Sequence, residues 1–82
     1  MMKPNYQIFY FGMLAERRGR MDETIHHAGR TPMELYEALD AMHYLGLEVS
    51  SLRAAVNDEF VSWEHPLKDG DHVAFLPPMS GG

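Results

Sequence analysis

The residues of this sequence with the clearest capacity for chemistry are the last six, which read PPMSGG. Pro77 and Pro78 fix their own φ angles and favour extended geometry in the residues before them, so they predict a stiff segment that leads away from a preceding strand. Gly81 and Gly82 lack Cβ atoms, and their backbone can enter a slot too narrow for other residues. The pattern favours a tail that is inserted into another protein, although Gly-Gly alone is equally compatible with an ordinary frayed terminus.

Activation of a carboxylate by a separate enzyme is the chemistry that suits such a tail. An α-carboxylate on Gly82 would be ionised at neutral pH and uncrowded by any side chain. It can attack the α-phosphorus of ATP and release pyrophosphate, and a sulfur, nitrogen or oxygen nucleophile can then displace AMP from the acyl-adenylate. Sulfur would give a thiocarboxylate. We therefore expect ATP at the activating enzyme, and no bound cofactor or metal in this chain.

Composition limits the other classes of function. A chain of 82 residues predicts one domain with a modest core. The absence of cysteine excludes thiol catalysis, thiolate metal sites and disulfides. Seven basic against twelve acidic residues give a net charge of -5, which is unfavourable for nucleic-acid binding and favours a basic protein partner. The first residues predict neither a membrane span nor a cleaved leader, so a cytoplasmic protein is expected.

Hydrophobic patterning predicts two strands followed by the main helix. Residues 6–11 and 22–28 read as strands, separated by a short helical segment that Gly19 ends. Thr31 is expected to cap the main helix, with Pro32 in the first turn and Glu34 completing a capping box. Gly46 is expected to end the helix. The apolar stripe expected to be buried comprises Leu35, Ala38, Leu39, Met42 and Leu45.

The second half of the chain predicts three further strands. Residues 52–57 and 60–63 read as short strands around a turn at Asn57 and Asp58, and an Asp-Gly turn precedes a last strand over 72–76. One sheet crossed by a single helix is an α+β arrangement of the β-grasp, or ubiquitin-like, type. The sequence thus predicts a β-grasp domain over residues 1–76 and a protruding tail over 77–82.

Two long segments resemble a known family. The segment AAVNDEFVSWEHPLKDGDHVAFLPPMSGG, residues 54–82, resembles the C-terminal half of the MoaD/ThiS family of ubiquitin-like sulfur carriers, specifically the small subunits of molybdopterin synthase. The elements AVN, HPL.DGD.VAF.PP and the terminal GG stand in register. IFYFGMLAERRG, residues 8–19, is similar to the family's first strand and the turn after it. The resemblance is weak only between about residues 20 and 50.

The resemblance implies a cycle of sulfur transfer. An adenylyltransferase related to ubiquitin-activating enzymes would adenylate Gly82, and a sulfur donor system would convert it to a thiocarboxylate. The tail would then enter the large subunit of molybdopterin synthase, which turns cyclic pyranopterin monophosphate into molybdopterin during molybdenum cofactor biosynthesis. The family complex is usually a heterotetramer. On this reading the chain is a sulfur carrier and a non-catalytic subunit of the complex.

The resemblance also implies a role for each residue that matches a functional position of the family. Gly82 would carry the sulfur and Gly81 would occupy the narrow slot. The remaining residues implied to contact partners are Phe9, Phe11, Phe60, Leu76, Pro77, Pro78, Met79 and Ser80. Strand alternation independently turns Leu76 outward if Val73 and Phe75 face the helix, whereas core packing is an equal alternative for Phe9 or Phe11. The chain has Ala15-Glu16 where family members often have Arg-Glu, so that arginine's ion pair is not transferred.

Other functions compatible with the sequence differ in how they use the tail. A carrier for thiazole or another thio-metabolite would use the same thiocarboxylate, and a ubiquitin-like modifier would be found joined to lysines. A non-catalytic interaction domain would bind through its apolar sheet face and would tolerate a blocked or extended C-terminus.

Overall fold

A computed structural model describes residues 3–78, which form a five-stranded sheet packed against one main helix. The strands are β1 (Asn5–Tyr10), β2 (Asp22–His26), β3 (Arg53–Val56), β4 (Glu59–Val61) and β5 (His72–Leu76). The helices are α1 (Met13–Arg18) and α2 (Pro32–His43), with a 3-10 turn at Val49–Ser51. In this part of the chain no helix is long and apolar enough to cross a membrane.

The sheet places the last strand at its centre. The strand order is β2-β1-β5-β3-β4, in which β1 and β5 are parallel and every other neighbouring pair is antiparallel. The long connection between β2 and β3 carries α2 across one face, which we call the inner face. The α+β, β-grasp arrangement expected from the sequence is confirmed, and the strand that leads into the tail is held on both sides.

The core lies between α2 and the inner face. Alternation is clear in β1, where every second side chain is buried. Three buried tyrosines are tolerated because their hydroxyl groups have partners. Tyr6 donates to the Gly29 carbonyl at 2.7 Å, Tyr36 to the Leu47 carbonyl at 2.8 Å and Tyr10 to the Glu23 carboxylate at 2.5 Å. The cluster comprises Tyr6, Ile8, Tyr10, Leu14, Leu35, Tyr36, Leu39, Leu45, Leu52, Val56, Leu67, Val73 and Phe75.

The start of α2 agrees with the predicted cap in all but one hydrogen bond. The Thr31 hydroxyl accepts from the Glu34 amide at 3.2 Å, and Pro32 occupies the first turn. The Glu34 carboxylate reaches one residue further back than a capping box requires and accepts from the Arg30 amide at 2.6 Å. Thr31 thus satisfies an amide that the helix leaves without a partner, and Glu34 fixes the residue that precedes the cap.

The end of α2 corrects the sequence-based prediction. The helix ends at His43 rather than near Gly46, because Tyr44 takes a left-handed conformation with φ 55 and donates its amide to the Asp40 carbonyl at 2.8 Å. The Asp40 carboxylate then accepts from the Gly46 amide at 2.7 Å. Met42 is 58% exposed, so its predicted burial is wrong.

Asn57 and Asp71 belong to the AVN and DGD elements of the family resemblance, and both have structural roles. Asn57 lies in the turn between β3 and β4 with φ 51, a conformation that asparagine tolerates better than most residues. Its side chain accepts from the His72 amide and donates to the Asp71 carboxylate, each at 3.0 Å. The other Asp71 oxygen accepts from the Lys68 amide at 2.8 Å. These contacts tie the β3–β4 hairpin to the start of β5.

Candidate functional site

The site begins where β5 ends. Val73 and Phe75 are fully buried on the inner face, whereas Leu76 is half-buried on the opposite, outer face. Pro77 is also half-buried and Pro78 is exposed. The predicted alternation is therefore present, and the chain leaves the sheet from its central strand. Four of the predicted site residues lie outside the described part of the chain: Met79, Ser80, Gly81 and Gly82.

A continuous row of apolar residues crosses the outer face. Strand register pairs Phe9 with Ala74, Ala74 with Ala55, and Ala55 with Phe60, so the row spans β1, β5, β3 and β4. The two alanines are short, so the centre of the row is shallow and its ends are raised by phenylalanine rings. Phe60 is 62% exposed.

A second row lies beside the first, at the root of the tail. Leu76 pairs with Arg53 of β3, and Phe11 comes one residue after the Tyr10–Phe75 pair. Phe11 is 48% exposed. We call the two rows together the outer patch: Phe9, Phe11, Arg53, Ala55, Phe60, Ala74 and Leu76. Strand register thus places Phe9, Phe60 and Leu76 on the outer face, and Phe11 directly precedes Gly12, which packs against Pro77.

Gly12 holds the chain close to the first residue of the tail. It has φ 56 and ψ -132, close to a region that only glycine adopts readily. A Cβ atom on Gly12 would lie 3.0 Å from Cγ of Pro77. The glycine thus allows the loop after β1 to pack directly against the start of the tail.

We expect Gly12→Ala to reduce the free energy of unfolding by about 2 to 3 kcal/mol, because it adds backbone strain and displaces Pro77. Gly19→Ala is the matched control. Gly19 also has a positive φ, of 82, but a Cβ atom added there would have no neighbouring atom within 4 Å, so a loss of only about 1 kcal/mol is expected. Denaturant titration of both variants checks this. Equal losses would show that the contact with Pro77 has no energetic weight.

Arg53 is a residue of this surface that the sequence did not single out. Its guanidinium carbon lies 4.7 Å from the centre of the Phe60 ring, within the range of a cation–π contact. The sequence showed only an arginine near the start of a predicted strand. Its neighbour Phe60 lies on another strand, so no local pattern pointed to the contact. The contact depends on the β3–β4 pairing.

A separate polar cluster joins α1 to β2. Arg18 donates to both carboxylate oxygens of Glu23, at 2.9 and 2.7 Å, and the Tyr10 hydroxyl donates to one of them at 2.5 Å. The Arg18 hydrogen bonds, helped by that from Tyr10, lower the pKa of Glu23 to about 2. Burial, and then the Glu23 carboxylate, raise the pKa of Tyr10. The chain thus has an arginine ion pair in this region, from Arg18 and not from the Ala15 position.

The Glu23 cluster predicts a specific pH dependence of stability. Because its folded pKa is below the ordinary value of 4.5, its contribution is complete above about pH 5 and is lost as the pH falls towards 2. The contribution is at most about 3 kcal/mol. Glu23→Gln should therefore lower the free energy of unfolding at pH 7 and flatten its decline between pH 5 and 2.

Glu37→Gln, a change at an exposed position of α2, is the control for that experiment. It should leave the free energy of unfolding within about 0.5 kcal/mol of the original and keep the same decline in acid. Denaturant titrations at several pH values would provide the data. A Glu23→Gln protein with the original pH dependence would contradict the role given to this carboxylate.

The adjacent histidines His26 and His27 both have hydrogen-bond partners within the chain. His26 hydrogen-bonds to the Asn5 side chain at 2.8 Å, and His27 accepts from the Gly29 amide at 2.9 Å. Between residues 3 and 78 there is no group of three or more histidine, aspartate or glutamate side chains placed to hold a metal ion. The outer face instead presents exposed apolar side chains beside the point where the chain leaves β5.

Comparison with known proteins identifies the family. The model of the ThiS family matches residues 8–82, nearly the whole chain. The chain belongs to the ThiS family. The family match includes the outer patch and runs through Gly82.

Individual relatives of this ThiS-family chain agree with the assignment. It is 60% identical over 38 residues to the molybdopterin synthase sulfur carrier subunit of Escherichia coli, a match covering 46% of this chain and 47% of that protein. The matched segment therefore spans about half of the curated relative.

Solved structures share the fold over nearly the whole ThiS-family chain. A chain from the complex of subunits 1 and 2 of the Helicobacter pylori molybdopterin-converting factor has a TM-score of 0.67 at 26% identity, with coverage of 95% of this chain and 99% of that one. Small archaeal modifier protein 1 of Haloferax volcanii, called SAMP1, has a TM-score of 0.78 at 24% identity, with coverage of 95% and 99%. The latter comparison supports the β-grasp fold alone.

Proposed function

We propose that this chain is the sulfur-carrier subunit of a molybdopterin synthase and that Gly82 carries the sulfur. The observation that carries the proposal is the ThiS-family match through Gly82. The 60% identity to the E. coli sulfur carrier supports the molybdopterin pathway over other uses of the same tail. The central position of β5 supports a tail presented from a rigid base.

Each step of the proposed cycle acts on the carboxyl group of Gly82. A ubiquitin-activating-like adenylyltransferase uses ATP to form the acyl-adenylate, and pyrophosphate leaves. Sulfide delivered by the donor system attacks the carbonyl carbon and displaces AMP, which leaves a thiocarboxylate. In the large subunit, the thiocarboxylate sulfur bonds to a carbon of cyclic pyranopterin monophosphate and displaces an oxygen leaving group from that carbon. Water then breaks the carbonyl carbon–sulfur bond of the resulting thioester, which leaves the sulfur on the substrate and returns the carboxylate. Two such transfers supply the dithiolene of molybdopterin.

In this proposal the outer patch is where partner proteins recognise the carrier. Phe11 and Phe60 are large, exposed and apolar, and they lie on the same surface as Leu76. Aromatic side chains at the centre of an interface contribute much of its binding energy. Docking there would place the start of the tail at the edge of the interface, so that Pro77, Pro78, Met79 and Ser80 lead into the partner and Gly81 enters its slot.

We place the complete assembly in the cytoplasm as a heterotetramer of two small and two large subunits. The Helicobacter pylori relative is described as a complex of subunits 1 and 2, which supports a two-subunit organisation. This chain would supply the sulfur and the large subunit the catalytic side chains. The small chain by itself is therefore a carrier and not an enzyme.

Reconstitution of the synthase tests the pathway. The thiocarboxylated chain is mixed with the large subunit from the same source and cyclic pyranopterin monophosphate, and molybdopterin is measured as its oxidised fluorescent derivative. We expect two carriers to be consumed for each molybdopterin formed. A thiocarboxylated chain that yields none, while an established carrier does so with the same large subunit, would reject this pathway and favour another thio-metabolite.

A further inference from the structure

Arg53 lies inside the outer patch rather than at its margin. It is paired with Leu76 on one side, and its guanidinium stacks on Phe60 on the other. A partner that covers both of these apolar residues must also cover the arginine between them. The side chain is exposed in the free chain, so its charge is hydrated until a partner arrives.

The charge of Arg53 has no carboxylate partner in the described part of the chain. The ion pairs found there join Glu23 to Arg18 and Arg20, and the Arg53 guanidinium makes no hydrogen bond within residues 3–78. Covering a charged group without a partner is costly, because the apolar surface that displaces water offers no compensating hydrogen bond. A guanidinium over an aromatic ring makes no hydrogen bond to it and keeps N–H donors for a carboxylate, which they suit in a bidentate geometry.

We infer that Arg53 is a specificity residue of the outer patch and that it receives an aspartate or glutamate carboxylate from the protein that captures the tail. This inference rests on the proposed function, since it takes the large subunit of molybdopterin synthase as the partner. The contact with Phe60 restricts the Arg53 side chain before docking, so less side-chain freedom is lost when the ion pair forms. A related carrier with an apolar residue at this position would not need the acidic residue, and the pair would therefore distinguish cognate from non-cognate partners.

The test is calorimetric titration of the full chain with the large subunit from the same source. Arg53→Met keeps an unbranched side chain that can pack on Phe60 and removes the charge. Lys68→Met is the control, because it makes the same change in net charge on an exposed residue in the turn before β5, at the opposite end of that strand from Leu76. Arg53→Lys restores a positive charge without the planar fork. Thermal unfolding of each variant verifies that the fold is retained.

We expect Arg53→Met to weaken Kd by roughly 30-fold or more, Lys68→Met to leave it within about twofold, and Arg53→Lys to recover part of the loss. If the wild-type chain binds and Arg53→Met binds with equal or higher affinity, the proposed ion pair is wrong, whereas the proposed function stands. An Arg53→Lys variant as weak as Arg53→Met would also overturn it. A wild-type chain that does not bind at all would instead reject the proposed function.

Discussion

Deletion of Gly81 and Gly82 is expected to abolish sulfur transfer and to leave the fold unchanged. The proposed chemistry takes place at the Gly82 carbonyl carbon, and a chain shortened by two residues places its carboxylate too far back to reach the same catalytic groups. The core, by contrast, is formed by residues 6–75. Molybdopterin formation should fall to background, while the melting temperature changes by less than about 2 °C.

An extended chain is the control that isolates the carboxylate. One alanine added after Gly82 preserves both glycines but moves the carboxylate beyond its proposed position, so activity should again be lost. Normal function of the extended chain would favour the interaction-domain alternative. Unfolding of the shortened chain would show that the end of the chain supports the fold, contrary to the separation of domain and tail.

Phe60→Ala is expected to have the second largest effect, on binding rather than on stability. Phe60 lies at one end of the row that crosses the outer face and is 62% exposed in the free chain. If docking buries it, truncation should weaken Kd for the large subunit by roughly 30-fold or more, as for a large aromatic residue that an interface fully buries. The free energy of unfolding should change by less than about 1 kcal/mol, because little of the ring is buried before docking.

Met42→Ala is the matched control for Phe60→Ala. Met42 is also a large apolar residue and is 58% exposed, but it lies on α2, which covers the inner face. Its truncation should leave Kd within about twofold. Equal losses of affinity in the two variants would show that binding does not depend specifically on the outer patch. Unchanged affinity in both would place the docking surface elsewhere.

Local chemistry made much of this fold predictable from the sequence. Thr31 and Pro32 mark the start of α2 through their side-chain oxygen and fixed φ, and these properties act within one helical turn. Asn57 and Asp58 form the predicted turn because both tolerate positive φ. Alternation along β5 correctly placed Val73 and Phe75 inside and Leu76 outside.

The incorrect predictions concern features set by tertiary contacts. Helical spacing grouped Met42 with the buried stripe, but the left-handed conformation of Tyr44 ends the helix and lets Leu45 reach the core from a loop. The same spacing missed Tyr36, whose ring packs edge-on against Phe75 at 5.4 Å between centroids. The 3-10 turn at Val49–Ser51 was also missed, since three residues carry no periodicity that a sequence pattern can detect.

The outer patch was predictable in part. Family resemblance pointed to Phe9, Phe11, Phe60 and Leu76 individually, and the strand register shows that Phe9, Phe60 and Leu76 lie on one face. Their role in binding partners stays a prediction. Arg53 was missed because nothing in its local sequence identifies Phe60 as its neighbour across the β3–β4 pair. The Arg18–Glu23 ion pair was missed for the same reason, because it joins a helix to a strand.

The most direct test of sulfur carriage at Gly82 is the intact mass of the chain after incubation with ATP, the activating enzyme and a sulfide source. Sulfur carriage predicts that the mass of the chain increases by the difference between one sulfur and one oxygen atom. Fragmentation should localise the increase to Gly82, and the increase should be absent when ATP is omitted. No increase, with an activating enzyme that modifies its established substrate in the same buffer, would contradict sulfur carriage and leave the outer patch as the surface of an interaction domain.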